Sequence, residues 1–412
     1  MAMTQRTLYK TIEKIGTMEH RSEEEMLTAI LEEIVKNDRI NIIGGRIWKL
    51  HPDEKRYELI FEEGNIEPVG IGFRISLKDY EVFDQVARHR TVLADETNRT
   101  LRRKGITKYS ATGIGNTVKV GRTAYYEYLM AFNTHENEHD PGFMLSIAGQ
   151  AVTHLLEKRR TEAEKRSLIT EMEHAADLQR QILPEHEYNF GRYELYGISI
   201  PDRTVGGDFF NYYQIPGDQG RLAVAIGDAA SKGLPAAVQA LFVSGALMMS
   251  VEHESKISAM LRHINTINRK IFPSDKLLSL FFCELFNVKE GLMLYANAGH
   301  PVPIHYHAAT KQCSVLSVTG PIIGLIPDAT FTVGSLNMQK GDIVLLYTDG
   351  ITEANNGIDE FGEQKIIDII AANADKPAKV LCQQLLGAVQ VFSATGSVYS
   401  DDKTVVVIKR PK

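Results

Sequence analysis

The spacing of apolar residues changes along the chain and divides it into parts with different predicted structures. Between residues 23 and 36 the apolar positions recur at helical intervals behind a run of glutamates, which predicts a helix. Residues 39–64 combine a β-rich run, a polar turn and the alternation of Tyr57, Leu59 and Phe61, which predicts a hairpin. Another helix and further strands follow. We therefore expect an α/β domain at residues 22–150, preceded by an N-terminal extension at 1–21.

One long helix is predicted between residues 142 and 184. No proline occurs between Pro141 and Pro184, and the glycines of this stretch, Gly142 and Gly149, lie near its start. A heptad-like series runs through its second half, at Leu168, Met172, Ala175, Gln179 and Ile182. A parallel dimer would bury this stripe, and packing of the helix along its own C-terminal domain would bury it too. We expect a helical linker at residues 151–184 that dimerises, with the second arrangement open.

Beyond Pro184 the pattern is dominated by short β-rich runs that end at turn residues. Helical stretches interrupt or follow these strands, at 234–251, 255–271, 361–372 and 376–392. A final strand opens at Thr404. Strands that alternate with pairs of helices suggest two packed sheets covered by helices. We predict an α-β-β-α sandwich at residues 185–412, and hence an α/β multidomain protein.

Composition narrows the class of protein. A chain of 412 residues with 43% hydrophobic and 24% charged residues is typical of a soluble protein with two domains. A net charge of −6 argues against a nucleic-acid partner, which needs a basic face. No apolar run approaches the roughly 18–20 residues that cross a bilayer, and no secretion signal is visible. The widely spaced cysteines form no zinc or disulfide motif. We expect a cytoplasmic protein without membrane attachment.

Aspartates recur at the ends of predicted strands in the C-terminal domain. They are Asp208 in VGGDFF, Asp228 in LAVAIGD, Asp349 in IVLLYTDG, and the pair Asp401 and Asp402 in SDDKTVVVI. One Asp-Gly after a strand is usually a turn, but several acids at such boundaries could gather at one edge of packed sheets. Two carboxylates ~4 Å apart repel by roughly 4 kcal/mol at an effective dielectric of about 20. Such a cluster needs a cation, and all-oxygen ligation selects Mg²⁺ or Mn²⁺.

The glycines before Asp208 allow a second interpretation, a nucleotide cyclase with a GG(D/E)EF hairpin. That hairpin needs an acid directly after its first acid, and this chain has Phe209 there. A cyclase would also leave Asp228, Asp349 and Asp401 without explanation. A two-metal site explains all of these acids, and its chemistry is displacement at phosphorus. The sequence therefore favours hydrolysis of a phosphate ester.

The C-terminal 225 or so residues resemble the PPM-type metal-dependent protein phosphatases, in their SpoIIE/RsbU-like branch. The matching motifs stand in the family's order: VGGDFF, IGDAASKGLPAA, NAGHPVP, GLIPD, LLYTDGITEA and SDDKTVVVI. The preceding helix, EMEHAADLQRQILPE, resembles the approach segment of that branch. In residues 22–150 the order of helix, hairpin, helix and returning strands resembles a GAF domain, which senses a small molecule or a partner. Another α/β or PAS-like fold is the alternative there.

The resemblance implies a set of metal ligands. Asp228 would bridge two ions, and the carbonyl of Ala229 would bind one of them. Asp208 and Asp349 would bind the other ion. Asp401 would complete the first site, directly or through water, with its neighbour Asp402 as the fallback. A water activated by the ions would attack phosphorus, without a covalent phosphoenzyme.

Two further residues are weaker candidates for contacts with the substrate. Lys232 could bind phosphate, although an exposed loop lysine is usually only solvated. His300 in NAGHP could do the same, although such a histidine more often fixes a turn by hydrogen bonding. The chain also departs from the family pattern at residues 230–231 and at Asn211. Ser231 stands where the family has glycine, and it would be strained if the turn needs a positive φ there.

The resemblance finally implies a function and partners. We expect a Mn²⁺- or Mg²⁺-dependent serine/threonine protein phosphatase, a hydrolase of signal transduction and stress response. Its substrate would be a phosphorylated STAS-type anti-sigma-factor antagonist, whose dephosphorylation frees a sigma factor. The chain would form a homodimer through the linker helix, and an unknown signal at the GAF-like domain would regulate it. A non-catalytic partner-binding scaffold and a phosphatase for a small molecule remain as rivals.

Overall fold

The computed structural model describes residues 2–37, 42–96, 98–103, 108–134, 141–253, 256–393 and 401–412. Parts of three predicted elements lie outside the described residues, namely 39–41 of the first hairpin strand, Ser255 and Ser400. The chain divides into two compact units, Met1–Ser167 and Leu168–Lys412. This division falls within the stretch that the sequence assigns to the linker.

The first unit is built from helices and an antiparallel sheet. Its helices are α1 (Ala2–Gly16), α2 (Glu23–Lys36), α3 (Val82–His89), α4 (Arg99–Arg103) and α5 (Pro141–Ile182), the last of which continues beyond Ser167. Its strands are β1 (Ile42–His51), β2 (Arg56–Gly64), β3 (Arg74–Ser76), β4 (Thr91–Asp95), β5 (Lys108–Val120) and β6 (Thr123–Thr134). The strand order is β3-β2-β1-β6-β5-β4. The antiparallel pairing of β1 with β2 confirms the predicted hairpin.

The sheet of the first unit is covered on both faces. α1, α2 and the first half of α5 pack against one face, while α3 and α4 pack against the other. Residues 2–16, expected as a separate extension, instead form α1, whose Leu8 and Ile12 are fully buried in this core. The reason is the amphipathic spacing of α1, which matches that of α2 beside it. The assignment of the unit as GAF-like remains a prediction.

A cavity lies between this sheet and the side that carries α3. Its lining is apolar except for a few polar side chains, among them Arg46, Tyr80, Glu96 and Asn133. Arg46 is 4% exposed and donates to Asn133 Oδ1 at 3.1 Å and to the carbonyl of Glu67 at 2.6 Å. The Tyr80 hydroxyl donates to Glu96 at 2.7 Å. Ionisable groups are costly to bury without partners, so their presence here is unusual for a purely structural core.

The second unit contains two antiparallel sheets. Its strands are β7 (Glu187–Phe190), β8 (Tyr193–Ile200), β9 (Asp208–Gln214), β10 (Arg221–Ala229), β11 (Leu278–Phe286), β12 (Leu292–Ala298), β13 (Ile304–His307), β14 (Gln312–Val315), β15 (Gly334–Asn337), β16 (Ile343–Tyr347) and β17 (Lys403–Lys409). One sheet has the order β15-β12-β11-β10-β9 and the other the order β14-β13-β16-β17-β8-β7. Val224 and Phe281 from the first sheet meet Val406 from the second in the core between them.

Helices cover the outer faces of both sheets. They are α6 (Leu234–His253), α7 (Ile257–Ile271), α8 (Asp349–Thr352), α9 (Gly362–Asn373) and α10 (Ala378–Ser393). α6 and α7 pack on the sheet that contains β9 and β10, and α9 and α10 pack on the sheet that contains β16 and β17. The layers therefore follow the predicted α-β-β-α order.

The expectation that no segment is apolar enough to cross a bilayer needs a correction. Within the described residues, α6 reaches the length and apolar composition of a membrane span. Its Ala236, Val243 and Leu247 are buried in the core beneath the sheet. A core helix has the same composition as a membrane span because both are surrounded by apolar atoms.

The end of α5, which belongs to the second unit, packs in part on the rest of that unit. Ala176 is 2% exposed and lies in a small apolar cluster with Val205 and Ala237, and Gln179 is 8% exposed. Leu168 and Ile182, which belong to the same heptad-like series, stay exposed. Part of the series therefore packs along its own domain, the arrangement that the sequence left open. The exposed members remain available for a partner.

Candidate active site

Two of the predicted ligands face each other on neighbouring strands. Asp208 opens β9, Asp228 lies near the end of β10, and the antiparallel register places them directly opposite one another. Opposed side chains in such a pair lie on the same face of the sheet. Asp208 is 4% exposed. The glycine-rich turn before Asp208 thus places two acids side by side on neighbouring strands.

The second sheet holds Asp208 in place. The hydroxyls of Thr348 and Thr404 donate to Asp208 Oδ2 at 2.7 and 2.6 Å. Thr348 follows β16 and Thr404 lies in β17, and these strands pair with each other. Hydrogen bonds from hydroxyls to a carboxylate are among the stronger ones in proteins. One oxygen of Asp208 therefore joins the edges of both sheets.

Asp349 and Asp401 belong to adjacent segments of the same edge. Asp349 is the first residue of α8, directly after β16, while Asp401 comes shortly before β17. The segments approach so closely that a Cβ at Gly350 would clash with the carbonyl of Asp402. Glycine is needed at that position for steric reasons. Asp349 and Asp401 are near enough that each acid affects the electrostatics of Asp228.

The neighbouring acids Asp401 and Asp402 have different environments. Asp402 accepts backbone N–H groups from Asp202 at 2.7 Å and from Gly207 at 2.6 Å, so both of its oxygens have partners. Asp401 is 42% exposed in its side chain and pairs with Lys232 at 2.8 Å. Asp402 fixes the loop before Asp208, whereas the Asp401 carboxylate accepts the N–H of its neighbour Asp402 at 3.0 Å and pairs with the exposed Lys232. This difference favours Asp401 over Asp402 as the ligand.

The loop after Asp228 resolves the question of strain. The N–H of Ser231 donates to the carbonyl of Ala229 at 2.6 Å, which makes a tight turn. Among the described residues, positive φ angles outside glycine occur at Lys55, Arg90 and Lys311 only. The left-handed residue of this loop is Gly233, with φ +72°. Ser231 therefore has no positive φ and is unstrained. The residue of this loop that has a positive φ is Gly233, and glycine adopts that conformation without strain.

The electrostatics of this cluster make it a candidate cation site. Burial, followed by Asp349, Asp401 and Asp402 in decreasing order of effect, raises the pKa of Asp228 to about 7. Burial and then Asp228 raise the pKa of Asp208 well above its ordinary range. Burial followed by Asp401 raises the pKa of Asp349. The oxygen-only donors fit hard divalent cations, whose charge would offset this repulsion.

His300 lies too deep to serve as an exposed substrate contact. It is 2% exposed, and its Nδ1 is 2.9 Å from the hydroxyl of Ser279. Its backbone N–H donates to Asn297 Oδ1 at 2.8 Å. Burial lowers the pKa of His300 to about 3, so the ring is neutral. The sequence allowed two roles for His300, phosphate binding and fixing a turn by hydrogen bonding. The structure favours the second role. Ser279 pairs with Asp228 across β10 and β11, so His300 supports the strand beneath the acids.

Sequence reasoning missed the side chains that position these acids. Gln179, near the end of α5, donates to the carbonyl of Gly206 at 2.7 Å and accepts its N–H at 3.2 Å. Gly206 is two residues before Asp208, so the helix is bonded to the loop that presents a predicted ligand. Arg203 lies near Lys232 and Gly233 at the same loops. Only the quoted motifs hinted at Thr404, and nothing in the sequence pointed to Gln179 in this role.

The fold and this acidic edge define the class of the second unit. Residues 218–411 match the family model for stage II sporulation protein E (SpoIIE). The match covers most of the second unit, and in this part the chain is similar to that family. In agreement, the SiaA-PP2C domain of Pseudomonas aeruginosa superposes with a TM-score of 0.51 at 18% identity, covering 60% of this chain and 98% of that one. This likeness concerns the fold.

Two curated proteins show the same relationship in sequence. Protein IcfG of Synechocystis is 28% identical over 271 residues, which are 58% of this chain and 41% of that protein. Phosphoserine phosphatase RsbU of Bacillus subtilis is 25% identical over 250 residues, 60% of this chain and 72% of RsbU. The chain thus spans less than half of IcfG, and most of RsbU.

Proposed function

We propose that the protein is a metal-dependent serine/threonine protein phosphatase that acts on a phosphorylated partner protein. The observation that carries the proposal is the meeting of Asp208, Asp228, Asp349 and Asp401 at one edge of two sheets, where Asp208 opposes Asp228 directly. Repulsion among buried acids is costly without cations. The similarity to a phosphoserine phosphatase indicates what the site would hydrolyse.

Two Mn²⁺ or Mg²⁺ ions would be held by Asp208, Asp228, Asp349, Asp401 and the carbonyl of Ala229. When bound, such ions neutralise charge on the phosphoryl oxygens and lower the pKa of water. Among the described residues, no three of these aspartates bring donor oxygens mutually within 4.8 Å. Bound ions would therefore have to draw the aspartate oxygens closer together, against their mutual repulsion.

The protein's own side chains would position the acids and recognise the phosphate. Thr348 and Thr404 hold one oxygen of Asp208, which would leave the other oxygen to bind a cation. Lys232 and Arg203 place positive charge beside the acids. An Arg and a Lys at the rim suit a doubly charged phosphoryl group. We assign them to substrate binding, with Lys232 leaving Asp401 when phosphate or a cation arrives.

The substrate we propose is a phosphorylated STAS-type anti-sigma-factor antagonist, in a cytoplasmic signalling system of stress response and sigma-factor regulation. The resemblance of the six motifs to the SpoIIE/RsbU-like branch supports this choice. The match to RsbU covers 72% of that protein, which extends the likeness beyond a short motif.

Regulation would pass from the first unit to the site through α5. The cavity with buried Arg46 and Glu96 offers a place for the signal, whose polar groups would pair with these ionisable side chains. α5 runs unbroken from Pro141 to Ile182. Its Gln179 bonds to Gly206, so a shift of the helix would move the loop that carries Asp208. Exposed apolar residues on α5 would pair in a homodimer: Leu168, Ile169, Leu178 and Ile182.

Hydrolysis of p-nitrophenyl phosphate and of a phosphorylated STAS protein, with and without Mn²⁺, tests the proposal. Activity should need Mn²⁺ and disappear in Asp228→Asn, while Asp375→Asn, a matched change at an exposed acid, keeps it. Turnover that survives Asp228→Asn would contradict the site. Binding of the STAS protein without turnover would indicate the scaffold, and fast turnover of a metabolite alone would indicate a small-molecule phosphatase.

A comparison of chain lengths tests regulation separately. The fragment 168–412 matches the second compact unit and keeps Gln179. Equal rates and equal Mn²⁺ dependence for 1–412 and 168–412 would end the idea of coupling, and leave the phosphatase proposal intact.

A further inference from the structure

A second group of metal-ligating side chains lies outside the aspartate cluster. Within the residues that the structure describes, His305, His307 and Asp342 form the one group of three His, Cys, Asp or Glu whose donor atoms all lie within 4.8 Å of one another. His305 and His307 are two positions apart on β13, so both project from the same face of the sheet. Asp342 directly precedes β16, the strand that pairs with β13. Three donors thus converge from two neighbouring strands.

The donors are already oriented by hydrogen bonds of their own. Asp342 accepts the N–H of Ala308 at 2.9 Å and the N–H of Gln339 at 2.8 Å. His307 Nε2 lies 2.8 Å from the hydroxyl of Ser314 on β14. Partners of this kind fix the ligands of metal sites in place. They also leave the carboxylate with unused lone pairs and His307 with its second ring nitrogen.

The spacing agrees with ligation. His305 Nε2 and Asp342 Oδ2 are 3.1 Å apart, and two ligands of one tetrahedral zinc ion lie about 3.3 Å apart at the usual bond lengths. A simple hydrogen bond between His305 and Asp342 has the same length. That bond does not account for the close approach of His307, whose ring centroid lies 3.9 Å from that of His305 with the ring planes tilted by 48°. Two imidazoles beside a buried carboxylate are better explained by a shared cation.

We propose that His305, His307 and Asp342 bind one Zn²⁺ ion, with water as the fourth ligand. Imidazole nitrogen favours zinc over magnesium and manganese, so this site would select a different metal from the oxygen-only aspartates. His305 and Asp342 are buried, and the partly exposed His307 leaves a side open to solvent.

The zinc site is separate from the candidate active site. Asp342 precedes β16 and Asp349 follows it, and the strand between them spans roughly 16 Å at about 3.3 Å per residue. The ion would tie the β13–β14 hairpin to β16 and so stabilise one end of the sheet. The proposal does not depend on phosphatase activity.

The test uses the full chain with Asp228→Asn, which weakens the aspartate site. After treatment with EDTA, the protein is dialysed against limiting Zn²⁺ and the bound metal is counted by mass spectrometry. His307→Ala is added to the same chain, with His154→Ala, an exposed histidine on α5, as the matched control. Thermal melts with and without Zn²⁺ accompany each sample.

We expect Asp228→Asn and its His154→Ala derivative to bind one Zn²⁺ per chain and melt at a higher temperature with zinc. His307→Ala should weaken zinc binding at least tenfold and remove the thermal shift. Unchanged zinc content in His307→Ala, or absence of tight zinc binding in every chain, would overturn the proposal. His307→Ala could lower the melting temperature of the zinc-free protein. In that case His307→Gln, which keeps a polar side chain, replaces it in the zinc-binding and melting tests, with the same criteria.

Discussion

Asp208 and Asp228 stand directly opposite each other on β9 and β10. Burial, followed by the charge of Asp228, raises the pKa of Asp208 well above its ordinary range. Two such carboxyl groups favour either a proton on one of them or a divalent cation between them. The pair therefore links the stability of the protein to both pH and metal.

Asp228→Asn should stabilise the metal-free protein at pH 8. The folded pKa of Asp228 is about 7, above the unfolded value, so its contribution to stability is present below about pH 4 and is lost as pH rises through 7. Asparagine removes this loss, with a gain on the order of 1–3 kcal/mol. Urea unfolding in EDTA at pH 5 and pH 8 measures the effect.

The matched control for that experiment is Asp375→Asn, an exposed acid with 73% of its side chain accessible. Its stability should equal that of the wild type at both pH values. A metal-free Asp228→Asn chain that is less stable than the wild type at pH 8 would contradict the electrostatic account. Mn²⁺ should raise the melting temperature of the wild type and of Asp375→Asn only.

Asp401→Ala should mainly affect Mn²⁺ binding, whereas Asp402→Ala should mainly affect stability. Asp402 accepts three backbone N–H groups, so its loss leaves polar groups unpaired and should cost about 2 kcal/mol of stability or more. Asp401 has Lys232 as its side-chain partner, so its loss should leave stability within roughly 1 kcal/mol of the wild type. Asp401→Ala should instead weaken Mn²⁺ binding. Unfolding curves and Mn²⁺ titrations of activity separate the two effects, and the reverse pattern would make Asp402 the ligand.

Thr404→Val should lower kcat roughly tenfold or more, because the hydroxyl that fixes Asp208 at 2.6 Å is lost while the shape is kept. Stability should fall by about 1.5–3 kcal/mol, the usual range for a hydrogen bond to a charged group. Thr404→Ser keeps the hydroxyl and should restore most of kcat. Thr332→Val, at an exposed threonine, is the control. If serine fails to rescue turnover, Thr404 acts through packing alone.

Gln179→Leu should reduce kcat with little change in KM, because the loop before Asp208 loses both hydrogen bonds to α5. We expect roughly a tenfold effect, in line with small displacements of catalytic groups. Gln181→Leu, two residues away on the exposed side of the same helix, should behave as the wild type. Steady-state kinetics with the phosphoprotein compares the three proteins. Equal kcat values would remove Gln179 from the proposed route of regulation.

His300→Gln should change acid sensitivity and leave KM unchanged. The folded pKa of His300 is about 3 and the unfolded one is higher, so the wild type loses stability as pH falls from about 6.5 toward 3. Glutamine does not take up this proton, so the free energy of unfolding of His300→Gln should fall less steeply with decreasing pH in that range. Stability measured between pH 4 and 7 checks the slope. A large rise in KM would instead restore His300 as a substrate contact.

The sequence predicted the elements of the second unit well, because each strand and helix is set by local apolar spacing. It also singled out Asp208 and Asp228 by the turn and the strand end at which they stand, and the structure places them on opposed strands. The partners of these acids could not be predicted, because Thr404 and Asp208 are 196 positions apart and meet only when two sheets pack. Gln179 was assigned to a heptad-like series for the same reason. The spacing predicts that its side chain is buried, but it does not predict which residue the side chain contacts.

The most direct test of the account is anomalous diffraction at the manganese edge from crystals grown with Mn²⁺. We predict two strong peaks between Asp208, Asp228, Asp349 and Asp401, one of them beside the carbonyl of Ala229. Crystals of an active protein with no peak among these residues would contradict the central claim.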